Sequence, residues 1–202
     1  MPKDATATRE RLMAAGARLF ATEGVDRART RDIVERAGQA NDSAITYHFG
    51  SRGGLLAAIL KAGVERMEPG RAASLGPLRT APLRAVVAAI VEPTAAELRT
   101  EQGRDFLRIV VQVAGQAGIR GHNLPPLIKD TALAAQLAAL EDRCRAFLTE
   151  TLAQERISVF IAFLTAALAD RVGRADSHLG HDAFVRDLTD MLTAALAANQ
   201  FA

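Results

Sequence analysis

The stretch Thr30-Arg31-Asp32-Ile33-Val34-Glu35-Arg36-Ala37-Gly38-Gln39-Ala40-Asn41-Asp42-Ser43-Ala44-Ile45-Thr46-Tyr47-His48-Phe49 decides the fold. Ile33, Val34 and Ala37 fall on one face of a helix over 30–37, with Thr30 as its expected cap and Gly38 as its stop. Gln39-Ala40-Asn41 reads as a turn, and Asn41 or Asp42 as the cap of a two-turn helix that buries Ala44, Ile45 and Phe49. A helix, a sharp Gly-containing turn and a short second helix make a helix-turn-helix. The outer face of the second helix carries uncharged donors and acceptors at Asn41, Ser43, Thr46, Tyr47 and His48. Such a face fits a major groove, where base edges present both donors and acceptors.

Outward from this core, the pattern stays helical. Leu12, Ala15, Gly16, Leu19 and Phe20 form one stripe of a helix from Thr8 to Glu23, ended by Gly24. Ser51 caps a fourth helix carrying Leu55, Leu56, Ile59 and Leu60. Thr30 and Ser51-Arg52 stand at helix N-termini, where free N–H groups favour phosphate. Pro69, Gly70, Gly76, Pro77 and Pro82 read as a connector, and the expected division is residues 1–66 and 67–202. Beyond it the pattern predicts helices over about 82–100, 103–117, 125–153, 155–172 and 181–199, with Pro93 kinking or splitting the first. No segment alternates apolar and polar residues as a strand does. The fold class is therefore all-α: a three-helix helix-turn-helix domain followed by a helical bundle.

Bulk composition narrows the class. Of 202 residues, 49% are hydrophobic and 24% charged, so the chain folds around a core of its own. Residues 1–67 hold 11 Lys/Arg against 8 Asp/Glu, placing a small positive excess in the N-terminal third. The one cysteine, Cys144, excludes an intrachain disulfide and reads as a small helix residue without redox role. The longest charge-free apolar run, Ile157 to Ala169, is shorter than a bilayer span, and the start shows no secretory pattern. A cytoplasmic protein without a membrane partner is expected.

Residues 8–61 resemble the DNA-binding region of the tetracycline-repressor (TetR) family. The similarity lies in Thr8-Arg9-Glu10, Ala14-Ala15, Leu19-Phe20, Gly24, Thr30-Arg31-Asp32-Ile33, Ala37-Gly38, Ala44-Ile45, Tyr47-His48-Phe49, Ser51-Arg52 and Leu55-Leu56. The resemblance implies a homodimeric repressor on an inverted-repeat operator in double-stranded DNA, released by a small-molecule effector. It implies phosphate contacts from Thr30, Tyr47, His48 and Arg52, and base contacts near Asn41, Ser43 and Thr46. The chain departs from the usual pattern by one more residue in the turn, and by Gly53-Gly54 where an acidic residue is common. Bland readings stand beside these: Tyr47 as a core aromatic with a wet hydroxyl, His48 as a surface histidine, and Arg52 as a solvated charge.

The second half is read from pattern. Ile157, Phe160, Ile161, Leu164 and Leu168 share one helical face while Val159, Phe163 and Ala166 lie toward the other. A helix apolar most of the way round needs cover on both sides. Phe160, Leu164, Leu188 and Leu192 are the expected dimer contacts, unless these helices are central to a monomeric bundle. Phe106, Ile109, Val113, Leu137, Phe147 and Phe163 are candidates to line an effector cavity or are plain core, with Gln112, Gln116 and His122 as polar contacts. The effector is unidentified, and no other cofactor is expected. His178 and His181 straddle a glycine turn and read as solvated loop, so no metal site is expected. Glu141-Asp142 point apart on a helix, and no nucleophile–base or phosphate-cradling pattern argues for an enzyme.

Overall fold

The computed structural model describes residues 2–41, 43–117, 125–174 and 179–198. Among these lie nine α-helices and no strand. The N-terminal set is α1 (Pro2–Glu23), α2 (Thr30–Arg36), α3 (Ser43–Phe49) and α4 (Arg52–Leu78). The remainder is α5 (Leu83–Ala96), a 3-10 turn (Glu97–Arg99), α6 (Glu101–Ala117), α7 (Ala132–Arg145), α8 (Glu150–Gly173) and α9 (His181–Ala197).

Two apolar cores form. Leu12, Phe20, Ile33, Ile45 and Leu55 are fully buried where α1 to α4 converge. Val87, Val91, Leu140, Ile157, Leu168 and Leu188 are among those that fill the second, built from α4 to α9. Each such side chain contributes about 1.5–3 kcal/mol when fully buried. The helix α4 enters both cores, Leu55 and Ile59 in the first and Val64, Met67 and Leu78 in the second. Its crossing with α6 is close: a Cβ on Gly63 would stand 2.2 Å from Cε2 of Phe106.

The connector expected over 67–82 is helical as far as Leu78, with Pro69 and Pro77 inside α4. The breakers are outweighed by burial of Met67, Arg71 and Leu78. Pro93 likewise sits within α5, which neither splits nor stops there. Proline has no N–H for the carbonyl four residues earlier. That carbonyl, Ala89, instead accepts from Nε2 of Gln136 at 3.0 Å. Gln136 Oε1 in turn accepts from Nη1 of Arg71 at 2.7 Å, and Thr94 Oγ1 accepts from Nη2 at 2.7 Å. Arg71 is 2% exposed. Burial brings its pKa down to about 10, against the opposing charges of Glu68 and Glu97.

The helices expected over 125–153 and 155–172 are found as α7 and α8, with 125–131 outside any helix and the break at 146–149. Thr131 Oγ1 accepts from Ala134 N to start α7, and Thr149 Oγ1 accepts from Leu152 N to start α8. Cys144 is buried within α7, and burial pushes its thiol up to about 11, so it is an inert core residue at neutral pH. By length and composition α8 could cross a membrane. Here Ile157, Phe160, Leu164 and Leu168 point into the second core.

Replacing Gly63 by alanine forces α4 and α6 apart at their crossing. We expect a loss of about 1–3 kcal/mol, read as a lower thermal midpoint. A Gly63→Ala midpoint equal to the parent's contradicts the tight crossing. Gln136→Leu leaves the Ala89 carbonyl and Arg71 Nη1 without partners and should cost a comparable ~2 kcal/mol by chemical denaturation.

Candidate nucleic-acid interface

The helix-turn-helix is assembled by backbone punctuation. Gly38 takes φ +66°, which a β-carbon disfavours, and turns the chain out of α2. Asn41 Oδ1 accepts from Ser43 N, the first residue of α3, at 2.9 Å. The alternative cap, Asp42, lies outside the described residues. Ile45 is 1% exposed and anchors α3 in the first core. The opposite face stands in solvent: Ser43 and Thr46 are exposed, and Tyr47 is 80% exposed. Tyr47 is thus no core aromatic. The half-buried ring of His48 meets it edge-on, with centroids 4.8 Å apart.

The junction from α3 to α4 is tight. Ser51 Oγ accepts from Gly54 N at 2.9 Å, the expected cap. A Cβ on Gly54 would stand 1.9 Å from the Phe49 carbonyl oxygen. The second glycine of Gly53-Gly54 is therefore required by the approach of the two helices, while Gly53 meets only Ser51 Oγ at 3.7 Å.

Three expectations are revised. Thr30 is the first residue of α2, and the cap position is Arg29, with no side-chain cap bond. Arg52 is turned inward. Its Nε donates to the Ala28 carbonyl at 2.9 Å, its guanidinium stacks 5.0 Å from the Phe20 ring, and Nη2 is buried without a partner. It therefore ties α4 to the segment before α2 through Nε and the face of its guanidinium. Gln112 is committed rather than free: Oε1 accepts from Val25 N at 2.8 Å and Nε2 donates to the Phe20 carbonyl at 3.3 Å. Two cations escape the sequence reading. Arg29 and Arg31 are exposed on either side of Thr30 and have no partner among the described residues. Their signal in the sequence is the alternation Arg27, Arg29, Arg31.

The candidates in the second half are scattered. Ile109 is fully buried in the first core, and Val113 packs against it, so neither lines a cavity in the second. Leu137 is buried in the second core. Phe147 and Phe163 are exposed, and Phe106 is buried against Gly63. Phe160, Leu164, Leu188 and Leu192 are all buried in the chain's own core, because they lie on the inner faces of α8 and α9. The outer face of α8 instead shows Val159, 60% exposed, with Phe163 and Ala166, and that of α9 shows Met191. His122, His178 and the side chain of Gln116 lie outside the described residues. No cluster of metal-ligating side chains occurs among the described residues.

The helix-turn-helix set is joined to the rest through α6. Arg18 Nη1 of α1 reaches Asp105 Oδ1 at 3.1 Å and Glu101 Oε1 at 3.3 Å. Asp105 is 5% exposed. Burial raises its pKa, while Arg18 and then Arg108 pull it down.

Residues 12–59 match the family model described as bacterial regulatory proteins, tetR family. No curated protein matches the chain by sequence. Solved structures share its layout. NalD of Pseudomonas aeruginosa, the secondary repressor of the MexAB-OprM multidrug efflux pump, aligns with TM-score 0.58 and 17% identity over 96% of this chain and 97% of its own. The TetR family transcriptional regulator PfmR of Thermus thermophilus aligns with TM-score 0.57 and 17% identity, over 91% and 97%. A TetR-family regulator from a Rhodococcus species aligns with TM-score 0.52 and 16% identity, over 95% and 99%. At these identities the structures speak for the fold, and the family model speaks for the helix-turn-helix. Residues 12–59 thus match the model of the tetR family of bacterial regulatory proteins, and the chain shares its overall fold with these solved TetR-family regulators.

Proposed function

We propose that this chain is a homodimeric transcriptional repressor that binds an inverted-repeat operator and leaves it when a small molecule binds. The observation that carries the reading is the solvent-facing side of α3, Ser43, Thr46 and Tyr47, held out by a buried Ile45 and the bond from Ser43 N to Asn41 at its start. A rigid short helix with polar residues outward is suited to the major groove. Arg29 and Arg31 supply cations beside it for the phosphate backbone. In this reading residues 1–66 are the DNA-binding unit and residues 67–202 the unit for dimerisation and effector binding.

Dimerisation is inferred from the outer apolar face of α8 and α9. Val159, Phe163 and Ala166 recur at i, i+4 and i+7, and Met191 lies on the helix packed beside them. A second copy covering this face buries the same patch twice across a two-fold axis. Repression is carried over as the mode of action from NalD, the secondary repressor of the MexAB-OprM multidrug efflux pump, which shares the fold.

Selection of genomic fragments by the purified chain tests the reading. Recovered fragments should share an inverted repeat, and recovery of unrelated sequences without symmetry counts against it. Tyr47→Phe should weaken operator binding about threefold to tenfold through one lost hydroxyl contact, with the thermal midpoint unchanged. Arg31→Ala should lower the slope of log affinity against log salt by about 1. Arg52→Ala should lower the thermal midpoint, as befits its inward bonds. By sedimentation the parent should be a dimer at micromolar concentration, and Val159→Glu a folded monomer. A dimeric Val159→Glu variant removes this face from the interface.

A further inference from the structure

A cleft of about 740 Å3 opens where α1, α2, α4 and α6 meet. That volume suits a small organic ligand. Its apolar wall is made by Met13, Ala14, Ala17, Ile59, Ala62 and Phe106. Its charged lining is unevenly committed. Arg18 is held by Glu101 and Asp105, and Arg66 by Glu97. Two guanidiniums remain. Arg36 has no ion pair or hydrogen bond among the described residues, and Arg11 reaches only Thr8 Oγ1 at 3.4 Å. Against them stands one lining carboxylate without an arginine partner, Glu10.

We propose that this cleft binds a small amphipathic anion, an apolar body bearing one carboxylate or sulfonate, and that its binding changes the affinity for DNA. The apolar wall takes the body, and Arg36 and Arg11 take the anionic head by charge-assisted hydrogen bonds. The position explains the effect on DNA. One side of the cleft is α1 and the end of α2, the other is α6, and the Arg18–Asp105 pair lies in its lining. An anion seated there competes for Arg18 and wedges the helix-turn-helix set against α6. A ligand that favours the wedged arrangement alters DNA affinity, and DNA alters ligand affinity by the same factor. The regulatory half rests on the DNA-binding reading above, and the binding half stands without it.

The test uses the full chain and the fluorescent probe 8-anilinonaphthalene-1-sulfonate, an apolar body with one sulfonate. Fluorescence should saturate at about one probe per chain. Arg36→Gln should weaken binding about tenfold. Ala14→Phe, a bulky side chain on the wall of the cleft, should abolish it, and Leu179→Ser, exposed and outside the cleft, should leave it intact. No saturable binding, or equal binding by the parent, Arg36→Gln and Ala14→Phe, overturns the site. With saturating probe the selected operator fragment should bind with affinity changed at least about fivefold. Unchanged affinity overturns the regulatory half. Failure to bind DNA even without probe overturns the DNA-binding reading and the regulatory half together, while the fluorescence titration still decides the cleft.

Discussion

One helix belongs to both cores, and the rest of the molecule is arranged around that fact. Leu55 and Ile59 of α4 are buried among α1, α2 and α3, while Val64, Met67 and Leu78 are buried among the helices that follow. No flexible joint separates the two sets, because the helix continues through Pro69 to Leu78. A change of packing near Leu78 therefore reaches Leu55 as movement of a rod, since packed interiors transmit strain. Gly63 fixes where that rod crosses α6, and the crossing leaves no room for a single extra carbon.

A second strap reinforces the rod from the side. Ile109 of α6 is buried in the first core, and Gln112 of α6 bonds both Val25 N and the Phe20 carbonyl. Arg18 adds an ion pair to Asp105, whose burial makes its charge costly and its partner correspondingly necessary. Arg18 is partly exposed, so solvent screening limits what the pair contributes to stability. Its larger effect is on geometry. Two fixed connections, α4 and α6, hold the helix-turn-helix at one orientation, and the cleft lies where α1, α2, α4 and α6 meet.

The helix-turn-helix was legible in the sequence because its signals are local. Gly38 at positive φ, Asn41 at the start of α3, Ser51 at the start of α4 and the inward spacing of Ile33 and Ile45 each act within a few residues. The inward turn of Arg52 was not legible, since it depends on the Ala28 carbonyl and the Phe20 ring, distant in sequence. The prolines misled for the same reason: tertiary burial, and at Pro93 a side chain from α7, replaced what the local backbone lacked. The break between α7 and α8 falls earlier than the sequence pattern predicts because Thr149 sits inside a continuous apolar rhythm. Face assignment on α8 required three dimensions. A helix apolar all round shows its period but not which stripe its own chain covers, and the inner stripe was Phe160 and Leu164 rather than Val159 and Phe163.

We propose that two copies of α3, each set by its own α4, enter successive major grooves of one duplex. Dimethyl sulfate protection of a selected operator reads this directly, because it reports guanine N7 in the major groove. Two protected clusters related by dyad symmetry, with centres about 10–10.5 base pairs apart or a multiple of that, on one face of the duplex, are the predicted result. A single protected cluster, or protection confined to the minor groove edge, contradicts it.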